Sequence, residues 1–368
     1  MSLLSQFSNI YPMEEVEVVI VGAGPAGLAT SACLNHLSIP NIVLERGDVY
    51  ASLWKKRAYD RPVESACFDK ESGKWWIDVK NVEQNVDETY VAKFLVVATG
   101  ENSEGFIPEV PGLDSFPGEL LHSSKYENGN KYKGKDVLVV GCGNSGLEIS
   151  YDLNTWGAKT SLVARSPAHI LTKEIVFLGM RLLNFLPCKV VDATVVLLSR
   201  LKHGDISYHG IHKPAKGPFY LKATTGRSPT IDVGAVEKIK AKQIQVFPSI
   251  TDIKGRKVEF ANGKVSQFDV LIFATGYKSI VRRWLKGGED LFDNNGMPKP
   301  SFPDRWKGKN GLYCAGFARK GLLGISNDAR NIARDINLAL KMEEPRKVEP
   351  SDENRRPFTY YCRRPSKI

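Results

Sequence analysis

The chain has 368 residues, of which 42% are hydrophobic, 25% charged and 10% aromatic. That suffices for two packed domains and excludes a collagen-like, disordered or disulfide-stapled chain. The net charge is +10, and residues 159–286 alone hold 22 Lys/Arg against 8 Asp/Glu. A basic middle of this kind points to a phosphate-bearing ligand, and without an RNP or zinc-finger pattern it argues against nucleic acid.

Six cysteines (Cys33, Cys67, Cys142, Cys188, Cys314 and Cys362) stand apart, with no C-x-x-C pair. This argues against a zinc site or a redox dithiol, so no metal is expected, and it suits a reducing compartment. No apolar run approaches the roughly 18 residues of a membrane-spanning helix. The start, MSLLSQFSNIYPMEEVEVV, has neither a basic stretch nor a long apolar core, so no signal peptide is expected. The expected location is cytoplasmic.

The first predicted unit is the β-branched run before Gly22, a glycine turn, a helix through ATSACLNH, and a second strand ending at Glu45. Gly22, Gly24 and Gly27 form G-x-G-x-x-G, which permits a tight turn, lets backbone approach a diphosphate and lets helix and strand pack closely. Glu45 follows Gly24 by 21 residues, where an acid binds an adenosine ribose. Next, KWWIDVKN and ETYVAKFLVVATG read as a β-meander returning to a strand.

KDVLVVGCGNSGLEISYDLNTWG then repeats the unit, with Gly141, Gly143 and Gly146 in the turn. Here the strand end carries Arg165 and Ser166 in place of an acid, a pairing that accommodates a 2′-phosphate; a solvated surface charge is the plainer reading. The apolar stretch from Ile175 to Leu201 reads as two buried helices broken at Pro187, or as a substrate entrance or membrane-contacting surface. Ala98-Thr99-Gly100 and Ala274-Thr275-Gly276 each end an apolar strand, where small residues let the chain lie close to a flat cofactor. A final helix is expected near Asn327 to Leu340, followed by a polar tail.

Residues 116–126, FPGELLHSSKY, match F-x-G-x-x-x-H-x-x-x-Y. With GAGPAGLATSACL, ASLWKKRAYDR, ATGEN, GCGNSGLEI, KGPFYLKATTGRSPTIDVG, ATGY and GLYCAGFARKGLLGISNDARNIARDI, the chain resembles the flavin-containing monooxygenases, most closely their plant YUCCA branch. The resemblance implies an α/β fold of two Rossmann-like dinucleotide-binding domains, the FAD domain interrupted by the NADPH domain. Residues 14–125 would form the first part of the FAD domain, 126–270 the NADPH domain, 271–342 the second part, and 343–368 a flexible tail. It also implies oxidative decarboxylation of indole-3-pyruvate to the auxin indole-3-acetate with NADPH and O2, through a C4a-(hydro)peroxyflavin.

By the same resemblance, Trp54, Arg57, Thr99, Gly100, Thr275 and Gly276 join the cofactor-binding residues. Asn102, His122, Lys320 and Asn327 are the candidate catalytic residues. For His122, ordering of the domain linker competes with proton transfer, and for Asn102 a turn cap competes with a contact near flavin or nicotinamide. Contact with the endoplasmic reticulum surface is left open.

One departure stands out. After ASLWKKRAYDR the family continues for roughly fifty residues that are missing here, yet neighbouring parallel strands need a crossover of about a dozen residues or more. Either the FAD sheet is expected to lose a strand or the sequence is a shortened gene product, and a non-catalytic or uncoupled shortened paralogue competes with the active enzyme. A flavin disulfide reductase would need the cysteine pair that the chain lacks.

Overall fold

The computed structural model describes residues 13–46, 49–50, 56–57, 61–299 and 305–343. The first sheet is built on β1 (Met13–Val21), whose last four residues are almost wholly inaccessible to solvent. Burial on both faces explains why this strand is a continuous β-branched run rather than an alternating one. From β1 the chain turns into α1 (Pro25–His36) and returns as β2 (Asn41–Leu44), parallel to β1.

β3 (Val63–Asp69), β4 (Lys74–Asn81) and β5 (Val86–Val97) then form the expected antiparallel meander. β5 is long enough to serve two partners. Its first half pairs with β4, and its last residues lie parallel to the strand Leu312–Cys314, while β1 runs along its other edge. Trp75, Ile77, Leu95 and Trp284 lie in the core on one face of this sheet, and α1 packs with the C-terminal helix on the other.

Among the described residues β2 is hydrogen-bonded to β1 alone, so the parallel sheet stops there. The chain returns at Arg61, whose N–H donates to the Glu45 carbonyl at 2.7 Å, and β3 begins two residues later. The expected loss of a strand beyond β2 agrees with this edge.

In the second sheet, β7 (Glu119–His122), β8 (Asp136–Val140), β9 (Lys159–Val163), β10 (Ile244–Phe247) and β11 (Val270–Phe273) are all parallel, in the order β10-β9-β8-β11-β7. Helix α2 (Asn144–Thr155) follows β8 as α1 follows β1. Expected in the first unit, Glu119–His122 is a strand of the second, as is all of Val270–Phe273. The second sheet therefore extends beyond residues 126–270 at both ends. Two short strands, β6 (Glu104–Gly105) and β12 (Tyr277–Lys278), pair antiparallel where the chain passes between the units.

α3 (Lys173–Leu182) and α4 (Cys188–His203) break at Pro187 as expected, but they are not buried. Phe177 is 63% exposed, Phe185 83% and Leu201 74%. Their inner faces pack against α5 (Pro218–Thr225) through Val191, Val195 and Phe219, and no described segment covers the outer faces. The last helix, α6 (Gly321–Glu343), starts earlier than the expected Asn327. The tail beyond 343 lies outside the described residues. No helix among the described residues is long and apolar enough to cross a membrane.

Candidate cofactor sites

Both glycine turns are built alike. Gly22 has φ +110° and Gly141 φ +120°, a region that only glycine enters cheaply. A Cβ on Gly22 would lie 2.7 Å from the Ala98 carbonyl oxygen, and one on Gly141 would lie 2.4 Å from that of Ala274. Gly27 and Gly146 press against those same turns, with Cβ positions 1.9 Å and 1.8 Å from the carbonyl oxygens of Gly22 and Gly141. Each ATG alanine thus forms the floor of a glycine turn. Its small size serves the turn itself, not only the approach of a flat cofactor.

The middle glycines differ from their neighbours. Nothing lies within 4 Å of a Cβ on Gly24 or Gly143, and the same holds at Gly100 and Gly276. Open space above the start of α1 and α2, where unpaired N–H groups gather, is the cradle that a diphosphate fills. Thr99 Oγ1 is buried with no hydrogen-bond partner among the described residues and lines the first cleft, as a group that receives a ligand would. The residues present therefore fit two dinucleotides.

Glu45 and Arg165 stand where the spacing placed them. The Glu45 carboxylate closes on its own turn, accepting from Ala23 N at 2.6 Å and Arg46 N at 2.9 Å. It lines the first cleft, about 180 Å³, with Gly22, Gly24, Thr99 and Trp284. Arg165 and Ser166 line a larger cavity of about 710 Å³ over the second turn, with Gly141, Gly143, Thr275, Gly276 and Asn102. Asn102 is thereby on the second unit's cavity, although it follows a strand of the first. Trp54 and the side chain of Arg57 lie outside the described residues.

His122, expected among the catalytic residues, lines neither cavity. It is 7% exposed, its Nε2 donates to the Gly276 carbonyl at 2.9 Å and its Nδ1 accepts from Ser124 N at 3.1 Å. With both nitrogens committed to the chain, the ring has no lone pair to offer a substrate. It also fills the space a Cβ on Gly105 would need. The rest of the motif cements the same crossing. Gly118 abuts the Asp269 carbonyl, and Tyr126 donates to Asp152 on α2 at 2.6 Å, its hydroxyl kept protonated by burial and by that carboxylate.

Lys320 and Asn327 are exposed at the start of α6, and neither lines the first cleft or the larger second cavity. Next to Asn327, buried Asp328 accepts from Gly316 N at 3.0 Å, and desolvation raises its carboxyl above the usual range. The motifs do not single out every residue on the second cavity. Asn144 accepts from Ile231 N at 2.7 Å, and Arg227 donates to the Pro167 carbonyl beside Ser166. A polar side chain directly after Gly143, at the mouth of the glycine turn, could have flagged Asn144; Arg227 lies within the KGPFYLKATTGRSPTIDVG run, where nothing in the pattern singles it out as a cavity residue.

A family profile described as flavin-binding monooxygenase-like matches residues 61–282. The chain is 45% identical to "Probable indole-3-pyruvate monooxygenase YUCCA10" of Arabidopsis thaliana, covering 89% of this chain and 98% of the relative. It is 40% identical to "Indole-3-pyruvate monooxygenase YUCCA1" of Oryza sativa subsp. japonica, covering 87% and 91%. The first comparison runs over 376 residues, whereas 89% of 368 is about 328, so some four dozen positions of that relative have no counterpart here.

Among solved structures, the fold resembles a flavin-containing monooxygenase from Stenotrophomonas maltophilia, with TM-score 0.62, 17% identity and coverage of 89% of this chain and 100% of the other. Cyclohexanone monooxygenase from Rhodococcus sp. Phi1 bound to NADP+ gives TM-score 0.65 and 15% identity, covering 90% and 85%. The chain belongs to the flavin-binding monooxygenase-like family, in its plant YUCCA branch.

Proposed function

We propose that the protein is an NADPH- and O2-dependent flavin monooxygenase that converts indole-3-pyruvate to indole-3-acetate. Per keto acid, one NADPH, one proton and one O2 are consumed. One oxygen atom enters the new carboxylate, the other leaves as water, and CO2 is released. The observation that carries this reading is a carboxylate, Glu45, at the strand end of one glycine turn and a guanidinium, Arg165, at that of the other. A carboxylate suits ribose hydroxyls and repels a 2′-phosphate, whereas a guanidinium attracts it.

When bound, the flavin supplies the redox chemistry, accepting a hydride from the nicotinamide and activating O2. The chain binds, orients and excludes water. The first turns of α1 and α2 receive the diphosphates, Arg165 and Ser166 the extra phosphate, and Asn102 offers its amide to the nicotinamide side of the larger cavity. His122 holds the crossing between the units in place. Purified protein supplied with FAD, NADPH and indole-3-pyruvate under 18O2 should yield indole-3-acetate bearing one labelled oxygen. Unlabelled product, or product formed without NADPH, would defeat the reading.

The missing four dozen positions favour a second reading, a shortened enzyme in which NADPH oxidation is poorly coupled to product. For location, the exposed apolar turn between α3 and α4, flanked by Arg181 and Lys189, supports contact with an anionic membrane surface. Sedimentation with anionic vesicles, lost in Phe185→Asp, tests that contact.

A further inference from the structure

Arg319 is one of five non-glycine residues with positive φ among the described residues, at +57°. It sits just before α6, in the first unit, and its side chain reaches across to the second. Nε donates to Glu101 Oε2 at 2.5 Å, immediately after the ATG of β5. Nη1 donates at 3.1 Å to the carbonyl of Thr225, the last residue of α5. A cation at a helix C-terminus satisfies an orphan carbonyl and complements the helix dipole. The approach is close enough to exclude a side chain from the next position. A Cβ on Gly226 would lie 2.6 Å from Arg319 Cδ.

The residues just beyond Gly226 face the nucleotide cavity. Arg227, Ser228 and Thr230 all line it, and Arg227 donates to the Pro167 carbonyl, two residues beyond Arg165. Glu101, Arg319 and Thr225 thus connect the flavin-side loop directly to the segment carrying a second cation toward the phosphate end of the cavity. An exposed ion pair adds little to fold stability, and a left-handed arginine costs some. That strain is tolerated here at a contact between two sites, with little return in stability.

We propose that Arg319 is a positioning residue: it ties the segment 226–230 to the flavin-side loop and so holds Arg227 over the bound nucleotide phosphate. This rests on the reading that the second unit binds NADPH.

The test is Arg319→Gly, which adopts a positive φ without strain and should not lower the thermal midpoint. NADP+ binding, measured by titration calorimetry, should weaken about three- to tenfold, the size of freeing one or two ordered side chains. Arg227→Ala should weaken it too, and the double variant should bind no worse than Arg227→Ala alone. Arg319→Gln, which keeps a donor but no charge, should fall between wild type and Arg319→Gly. Unchanged NADP+ affinity in Arg319→Gly, or additive losses in the double variant, would overturn the proposal. Wild type that does not bind NADP+ at all would overturn the NADPH reading itself, a result separable from the other two.

Discussion

Inserting the missing stretch of a full-length relative between Arg61 and Pro62 should restore both stability and coupling. The edge strand β2 has four residues, and its Ile42 and Val43 are only half-buried. A parallel neighbour and its crossover helix would finish burying those two side chains. Taking about half of the full burial value for each gives about 2 kcal/mol in all. The neighbour would also remove an open strand edge beside the first cleft. A drier first site should direct more of the oxidising equivalents into product instead of hydrogen peroxide. The assay is the ratio of indole-3-acetate formed to NADPH consumed, with peroxide counted separately, for both chains under the same conditions. The present chain should release more peroxide than indole-3-acetate, and the lengthened chain the reverse. A tightly coupled present chain would refute the topological argument, as would an insertion that leaves both the ratio and the thermal midpoint unchanged.

Arg165→Glu should remove a charge-assisted contact of about 1.5–3 kcal/mol, nearer the lower figure because Arg165 is exposed, and so weaken NADPH at least tenfold while sparing NADH; equal weakening of both cofactors would refute the assignment. A Cβ on Gly24 meets no atom within 4 Å and the backbone there is extended, so Gly24→Val should fold normally yet purify without flavin, and retention of FAD would remove the first turn from the flavin site. Gly143→Val should keep FAD and lose reduction by NADPH, whereas Gly22→Ala should destabilise the chain outright, since its Cβ meets the Ala98 carbonyl. His122→Ala removes two hydrogen bonds, one to the Gly276 carbonyl (which keeps the Phe106 N–H as a donor) and one from Ser124 N, and should lower stability by about 1–3 kcal/mol while the pH profile of turnover keeps its shape; a lost limb in that profile would restore a proton-transfer role.

Local patterns carried the two glycine turns, their strand ends and the meander, because each depends on residues within about thirty positions of one another. Pairings across long sequence distances were less legible. Glu119–His122 reads only as part of the identifying motif, and its partner Val270–Phe273, about 150 residues on, shows that it is a strand and which sheet it joins. The identifying motif was visible, yet the role of His122 depended on a carbonyl 154 residues away. Exposure of the helices on either side of Pro187 was illegible for a different reason. Apolar content shows that a face wants covering, not whether another segment of the chain covers it. Nothing singles out Arg319 within the GLYCAGFARKGLLGISND run, since an arginine before a helix reads as surface charge until the carbonyl and carboxylate it spans are located.

The most direct test of the account is the spectrum of the purified protein before and after anaerobic addition of reduced nicotinamide. The protein should be yellow with one FAD per chain, bleached by NADPH at concentrations where NADH reacts far more slowly. Colourless protein that takes up no added FAD, or flavin bleached equally well by NADH, would contradict it.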